Sequence, residues 1–186
     1  YLVGIARDKL RTGLNRNLQF AAYLYEGLRA GGLTVSNDRT TPYTEYHLDP
    51  DRIDYVQYPF QTLAYGSGDM DDIGLLLAGM LESVGIKAAL IPLESDFILA
   101  FSLAISAEEA AAFFNSSESF MEMEGEVWIP LSMAVFREGF VNSWYNAMTQ
   151  LAPVLSGEES AEVIILRDAW QIYQPSAITG KEAQFQ

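Results

Sequence analysis

Residues 58 to 81 read Tyr58-Pro-Phe-Gln-Thr-Leu-Ala-Tyr-Gly-Ser-Gly-Asp-Met-Asp-Asp-Ile-Gly-Leu-Leu-Leu-Ala-Gly-Met-Leu81. The first half, with Pro59, Gly66 and Gly68, predicts an irregular approach to a helix. The second half predicts a helix over 71–84 with Gly85 past its end as terminator. Ile73, Leu76, Leu77, Met80 and Leu81 form its main apolar stripe. The other positions are small or apolar too, so this helix should be central and covered by other layers.

Outward from this segment, residues 1–33 predict helix, with Leu14, Leu18, Ala21, Ala22, Tyr25 and Leu28 recurring at three- and four-residue steps before Gly31-Gly32. Residues 34–54 are polar and carry the turn signals Asn37-Asp38, Thr41-Pro42 and Asp49-Pro50, which reads as a long surface excursion. Strands are expected over 86–93 and 97–103, and a short helix capped by Ser106 over 106–114. A strand over 126–130, a helix over 136–151 and short strands over 163–166 and 169–173 follow. Residues 175–186 read as a loose tail. The order, helices first, then one central helix, then strands, is an α+β arrangement. One domain spans 1–186, with a helical part and long loop over 1–53 and a core over 54–174.

The chain holds 25 Asp and Glu against 11 Lys and Arg, a net charge of −14. Phosphate backbones would be repelled, which excludes nucleic acid as a partner and favours cations. Zero cysteines exclude disulfides, thiolate metal sites and thiol catalysis together. No apolar run reaches the ~18 residues that span a bilayer. The chain opens at Tyr1 and not at Met, which reads as a trimmed or a processed chain, and a removed leader would leave no trace.

Three segments carry a resemblance. The first is Gly66-Ser-Gly-Asp-Met-Asp-Asp72 with Asp54-Tyr55 and Pro59-Phe-Gln-Thr-Leu63 upstream. The second is Gly85-Ile-Lys-Ala-Ala-Leu-Ile-Pro-Leu93 followed by Asp96-Phe-Ile-Leu-Ala-Phe101. The third is Val127-Trp-Ile-Pro-Leu-Ser132. Together, over roughly residues 54 to 145, they resemble bacterial transglutaminase-like cysteine proteins. Those proteins show Gly-Asp-Cys-Asp/Glu-Asp at the start of a buried helix, a histidine opening a strand, and Trp-Ile/Val-Pro-Val-Asp/Glu. The resemblance implies a papain-like core in which the buried helix packs on an antiparallel sheet, here with added N-terminal helices.

It also implies that all three catalytic positions have changed. Met70 stands at the thiol, Asp96 at the histidine and Ser132 at the acid. A thioether has no proton to lose, and no imidazole remains to carry one. The sole histidine, His47, reads as an exposed loop residue. The expectation is a pseudoenzyme that serves as a binding or scaffold module in the bacterial periplasm or cell envelope. Its cleft would be kept as a groove for a peptide, a partner protein or cell-wall glycan, lined by Tyr58, Gln61, Tyr65 and Trp128. For Trp128 and Trp144 a core position is the plainer reading. Phe60 and Tyr65 lean toward packing, while Tyr43 and Tyr46 stay open between packing and recognition.

Asp69, Asp71 and Asp72 have two readings. They cap a helix, with Asp69 as N-cap and the other two in the first turn, where the dipole favours negative charge. They also supply oxygens in the number and spacing that suit calcium, with Asp96 facing them as a further donor. The resemblance implies calcium at the positions flanking the lost thiol. Gly66-Ser67-Gly68 reads as backbone freedom for a tight helix entry; with no Lys after it, a phosphate cradle is disfavoured. A hydrolase that uses Asp69, Asp71 or Asp96 as acid and base on a glycan or peptide is the alternative function.

Overall fold

The computed structural model describes residues 1–37, 43, 55–114 and 116–174. Most of the expected polar excursion, with His47, Tyr46 and Asp54, and the tail 175–186 lie outside them.

The helical start divides in two, α1 (Leu2–Asp8) and α2 (Arg16–Ala30). Asn15 begins α2 by accepting a hydrogen bond from Leu18 N at 3.0 Å, so the break falls where a capping side chain offers a new helix start. Phe20, Ala21, Leu24, Tyr25 and Leu28 of α2 are buried.

The approach to the central helix is more regular than the sequence suggests. Residues Pro59–Tyr65 form α3, with Pro59 in its first turn and Gly66 closing it in the left-handed region at φ 66°. Ser67–Gly68 (β2) then pairs in parallel with Thr34–Val35 (β1). The central helix α4 runs Met70–Ser83 and buries Met70, Ile73, Leu76, Leu77, Ala78 and Leu81.

The main sheet is antiparallel and five-stranded, built from β3 (Ala88–Pro92), β4 (Phe97–Ser102), β5 (Met121–Met123), β6 (Glu126–Ser132) and β7 (Ile164–Ile165). Its order is β5-β6-β4-β3-β7. A one-turn helix α5 (Ala107–Ala110), capped by Ser106 as expected, follows β4. The helix α6 runs Phe140–Leu155. One expectation fails outright: 169–173 is not a strand but the body of helix α7 (Leu166–Ile172). There Arg167 Nε donates to Glu82 Oε2 at 2.9 Å and Arg167 Nη2 to Gly85 O at 3.1 Å, tying α7 to the end of α4.

Both faces of the sheet are covered. Phe97, Leu99, Phe101, Val127, Ile129, Leu131 and Met133 join α2 and α4 in the larger core. Ile98, Ala100, Ala89, Ile91 and Trp128 join Ala147 and Leu151 of α6 in a second. Side chains alternate along a strand, so neighbours in sequence go to opposite cores. The fold is therefore α+β, with α4 on one face of an antiparallel sheet and α6 on the other.

Candidate functional site

The start of α4 is held by close backbone approach. A Cβ at Gly68 would lie 2.6 Å from Asp72 Cβ and 3.1 Å from Thr62 Cγ2, so only glycine fits between α3 and the first turn of α4. That accounts for the glycine-rich bend without a phosphate. Asp72 acts as a cap: Oδ2 accepts from Asp69 N at 3.2 Å and from Gln57 Nε2 at 2.5 Å, and Oδ1 accepts from Gln57 N at 2.6 Å. Asp69 Oδ2 accepts from Tyr43 N at 3.2 Å. Its Oδ1 is buried with no hydrogen-bond partner among the described residues.

Asp69, Asp71 and Asp72 are all buried, and each offers an oxygen within 4.8 Å of the others. Like charges at this range repel by about 3 kcal/mol per pair at an effective dielectric near 20. The helix N-terminus offsets part of this. A hard cation would offset more, and the orphaned Asp69 Oδ1 is an oxygen free to ligate one. Asp72 fits that role less well, since both its oxygens already accept from N–H donors. Both residues cap, since Asp69 is the N-cap of α4 and forms a capping box with Asp72 as expected, so cation affinity rests on the unpartnered Asp69 Oδ1. Met70, the first residue of α4, is buried in the larger core.

Asp96 is not part of that acidic group. It takes the parity of Ile98, on the α6 side of the sheet. Its Oδ1 accepts from Phe97 N at 2.7 Å and from Ala134 N at 2.8 Å. Its Oδ2 accepts from the Ser132 hydroxyl and from Gln150 Nε2 of α6, the latter at 2.6 Å. Burial pushes the Asp96 carboxyl above its ordinary range, and the hydrogen bonds from Ser132, Ala134, Gln150 and Phe97 pull against it. Ser132 is tied further, because Ser143 Oγ donates to its carbonyl at 2.8 Å.

Asp96 and Ser132 therefore do come together, two strands apart in sequence but adjacent in the sheet, where Ser132 is the register partner of Ile98. Their neighbours Phe97 and Met133 take the other face, against Gly74, one turn along α4 from Met70. The sheet separates the Asp96–Ser132 pair from the helix that begins at Met70.

The residues named as groove lining also divide. Tyr58 and Tyr65 are exposed and Gln61 half-buried on α3, where Gln61 Oε1 accepts from Tyr58 N at 2.8 Å. Tyr65, leaning toward packing on sequence grounds, is 66 % exposed, while Phe60 stacks on Tyr58. Trp128 is fully buried under α6 and its Nε1 donates to Met123 O at 3.1 Å, so it is a core residue and not part of that surface. Trp144 is half-buried at the edge of the core. Tyr43 is packing: it is buried against Phe97, and its hydroxyl donates to Leu93 O at 3.0 Å. Sequence reasoning missed Gln57 and Gln150, the amides that hold the two carboxylate centres. A lone glutamine carries no spacing signal that would have found them.

Comparison of the chain with protein-family models, curated proteins and solved structures gave no match. Among the described residues no helix is long and apolar enough to cross a membrane.

Proposed function

We propose that this chain is a catalytically inert α+β domain, of transglutaminase-like ancestry, that works as a binding or scaffold module in the bacterial cell envelope. The ancestry is supported by a buried helix that starts at Gly-Asp-Met-Asp-Asp and packs on the antiparallel strands that follow it. The inertness is carried by one observation: the carboxylate at the former histidine position spends both oxygens on four donors, on the face of the sheet away from Met70. A general acid or base needs a lone pair or proton facing a substrate. Asp96 offers neither, so the carboxylate-hydrolase alternative gains nothing from it.

Calcium at Asp69 and Asp71, beside the Asp72 cap, is the ligand this site suits best. Its role would be to hold the entry to α4, and the orphaned Asp69 Oδ1 supports it. Two assays test these readings separately. Glutaminyl peptides with an amine donor, thiol-protease substrates and peptidoglycan fragments should give only buffer-level turnover; turnover that a single substitution abolishes overturns inertness. Thermal unfolding should shift upward in calcium relative to chelator. An unchanged midpoint removes the metal and leaves the inert module standing.

A further inference from the structure

The helix α6 is apolar on two sides. Phe140, Ala147 and Leu151 face the protein interior, while Val141, Tyr145, Ala152 and Leu155 are exposed along the outside, with Met148 half-buried between them and packed against the second core. Val141 and Tyr145 are 73 % and 76 % exposed. The outer positions step by four, three, four and three residues, which is the heptad seam that one helix presents to another. No residue of α6 is charged.

Beside this seam run two adjoining cavities of about 380 and 600 Å³, which share Glu118, Tyr145 and Met148. Phe114 and Trp144 border the first, and Phe120 and Met121 the second. Together they make a trough between α6 and the 114–122 segment, about 20 Å long at 1.5 Å per residue. Among the described residues the only charged ones on its walls are Glu118 and Glu122. Neither has an ion-pair partner among the described residues.

We propose that this trough docks an amphipathic helix of a partner protein, with an apolar seam flanked by Lys or Arg. The heptad stepping selects a helix over an extended peptide, because the adjoining edge strand β5 has only three residues to template pairing. The acidic walls and the net charge of −14 select a basic partner. The same charge opposes a second copy of this chain and an anionic bilayer. The proposal deepens the binding-module reading by naming a partner class, on a surface lined by none of the residues at α4's entry, and it stands or falls independently of calcium.

The test uses a Trp-free synthetic peptide of about three heptads with Leu at a and d and Lys at e and g. Binding is read from Trp144 fluorescence, with Trp144→Phe as the signal control. Saturable binding should weaken at least about tenfold in Tyr145→Glu/Ala152→Glu, both exposed positions whose substitution leaves the core alone. Should the double variant unfold, Ala152→Glu alone carries the comparison. Glu118→Lys/Glu122→Lys should transfer the preference to a peptide flanked by Glu. Equal affinity of native and Tyr145→Glu/Ala152→Glu protein, or equal affinity for the Lys- and Glu-flanked peptides, overturns the proposal. So does a dimer by sedimentation that Tyr145→Glu dissolves, since a second copy would then fill the trough.

Discussion

Asp96→Ala would leave the amides of Phe97 and Ala134, the Ser132 hydroxyl and the Gln150 amide without their acceptor in the core. The loss should be about 3–5 kcal/mol, read by chemical denaturation. Asp96→Asn keeps the volume and exposes the ionisation. The ordinary carboxyl value is 3.8, and burial raises it in the folded protein. As pH rises from 3.8 through the folded value, the folded state keeps a proton that the unfolded chain has lost, so stability falls across that window and levels above it. The Asn variant lacks this slope. The midpoint advantage of the native protein over Asp96→Asn should therefore be greatest in acid and shrink as pH rises; an advantage that grows with pH contradicts the account. Asp96 stands out in the sequence through a resemblance alone, and its facing is not marked there. In Phe97-Ile-Leu-Ala-Phe101 both faces of the strand are apolar, so no polar alternation marks which parity meets α4.

The elements were legible where periodicity is long and poorly so where a few residues decide. The stretch that became α4 was expected over 71–84 and observed over Met70–Ser83. The α3 turn carries real signals, Pro59 in the first turn and Gly66 past the end, but a proline and two glycines between residues 59 and 68 read as irregularity. Residues 169–173 were mistaken because a short aromatic and β-branched run satisfies both periods. Burial of Leu166 and the Arg167 anchor to α4 decide for a helix. At the entry to α4, Gly68→Ala should cost about 1–3 kcal/mol, because its methyl would press on Asp72 and Thr62; a neutral substitution removes the close-packing account of the bend. Asp69→Asn deletes one of three crowded charges. In chelator its melting midpoint should exceed that of the native protein, and calcium should no longer raise it. A native-like calcium response in this variant would exclude Asp69 as a ligand.

At the scale of the whole molecule, the excess of 14 negative charges opposes compaction. Raising salt toward 0.15 M, where screening acts within about 8 Å, should raise the melting midpoint; a fall would mean that attractive pairs dominate the surface. The α+β class followed from element order alone, and the sheet order β5-β6-β4-β3-β7 did not, because pairing is set by cores on both faces that share the same residue types. That two-sided sheet is what parts Met70 from Asp96 and Ser132. The chain's lack of cysteine permits a direct test by thiol pairing under a glutathione buffer. Ile98→Cys/Ser132→Cys, register partners on adjacent strands, should form a disulfide. Met70→Cys/Ser132→Cys should keep two free thiols when titrated after unfolding, because the sheet lies between them. A disulfide in the second pair, which requires Cα atoms within about 7 Å, would place Met70 against Ser132 and contradict the account.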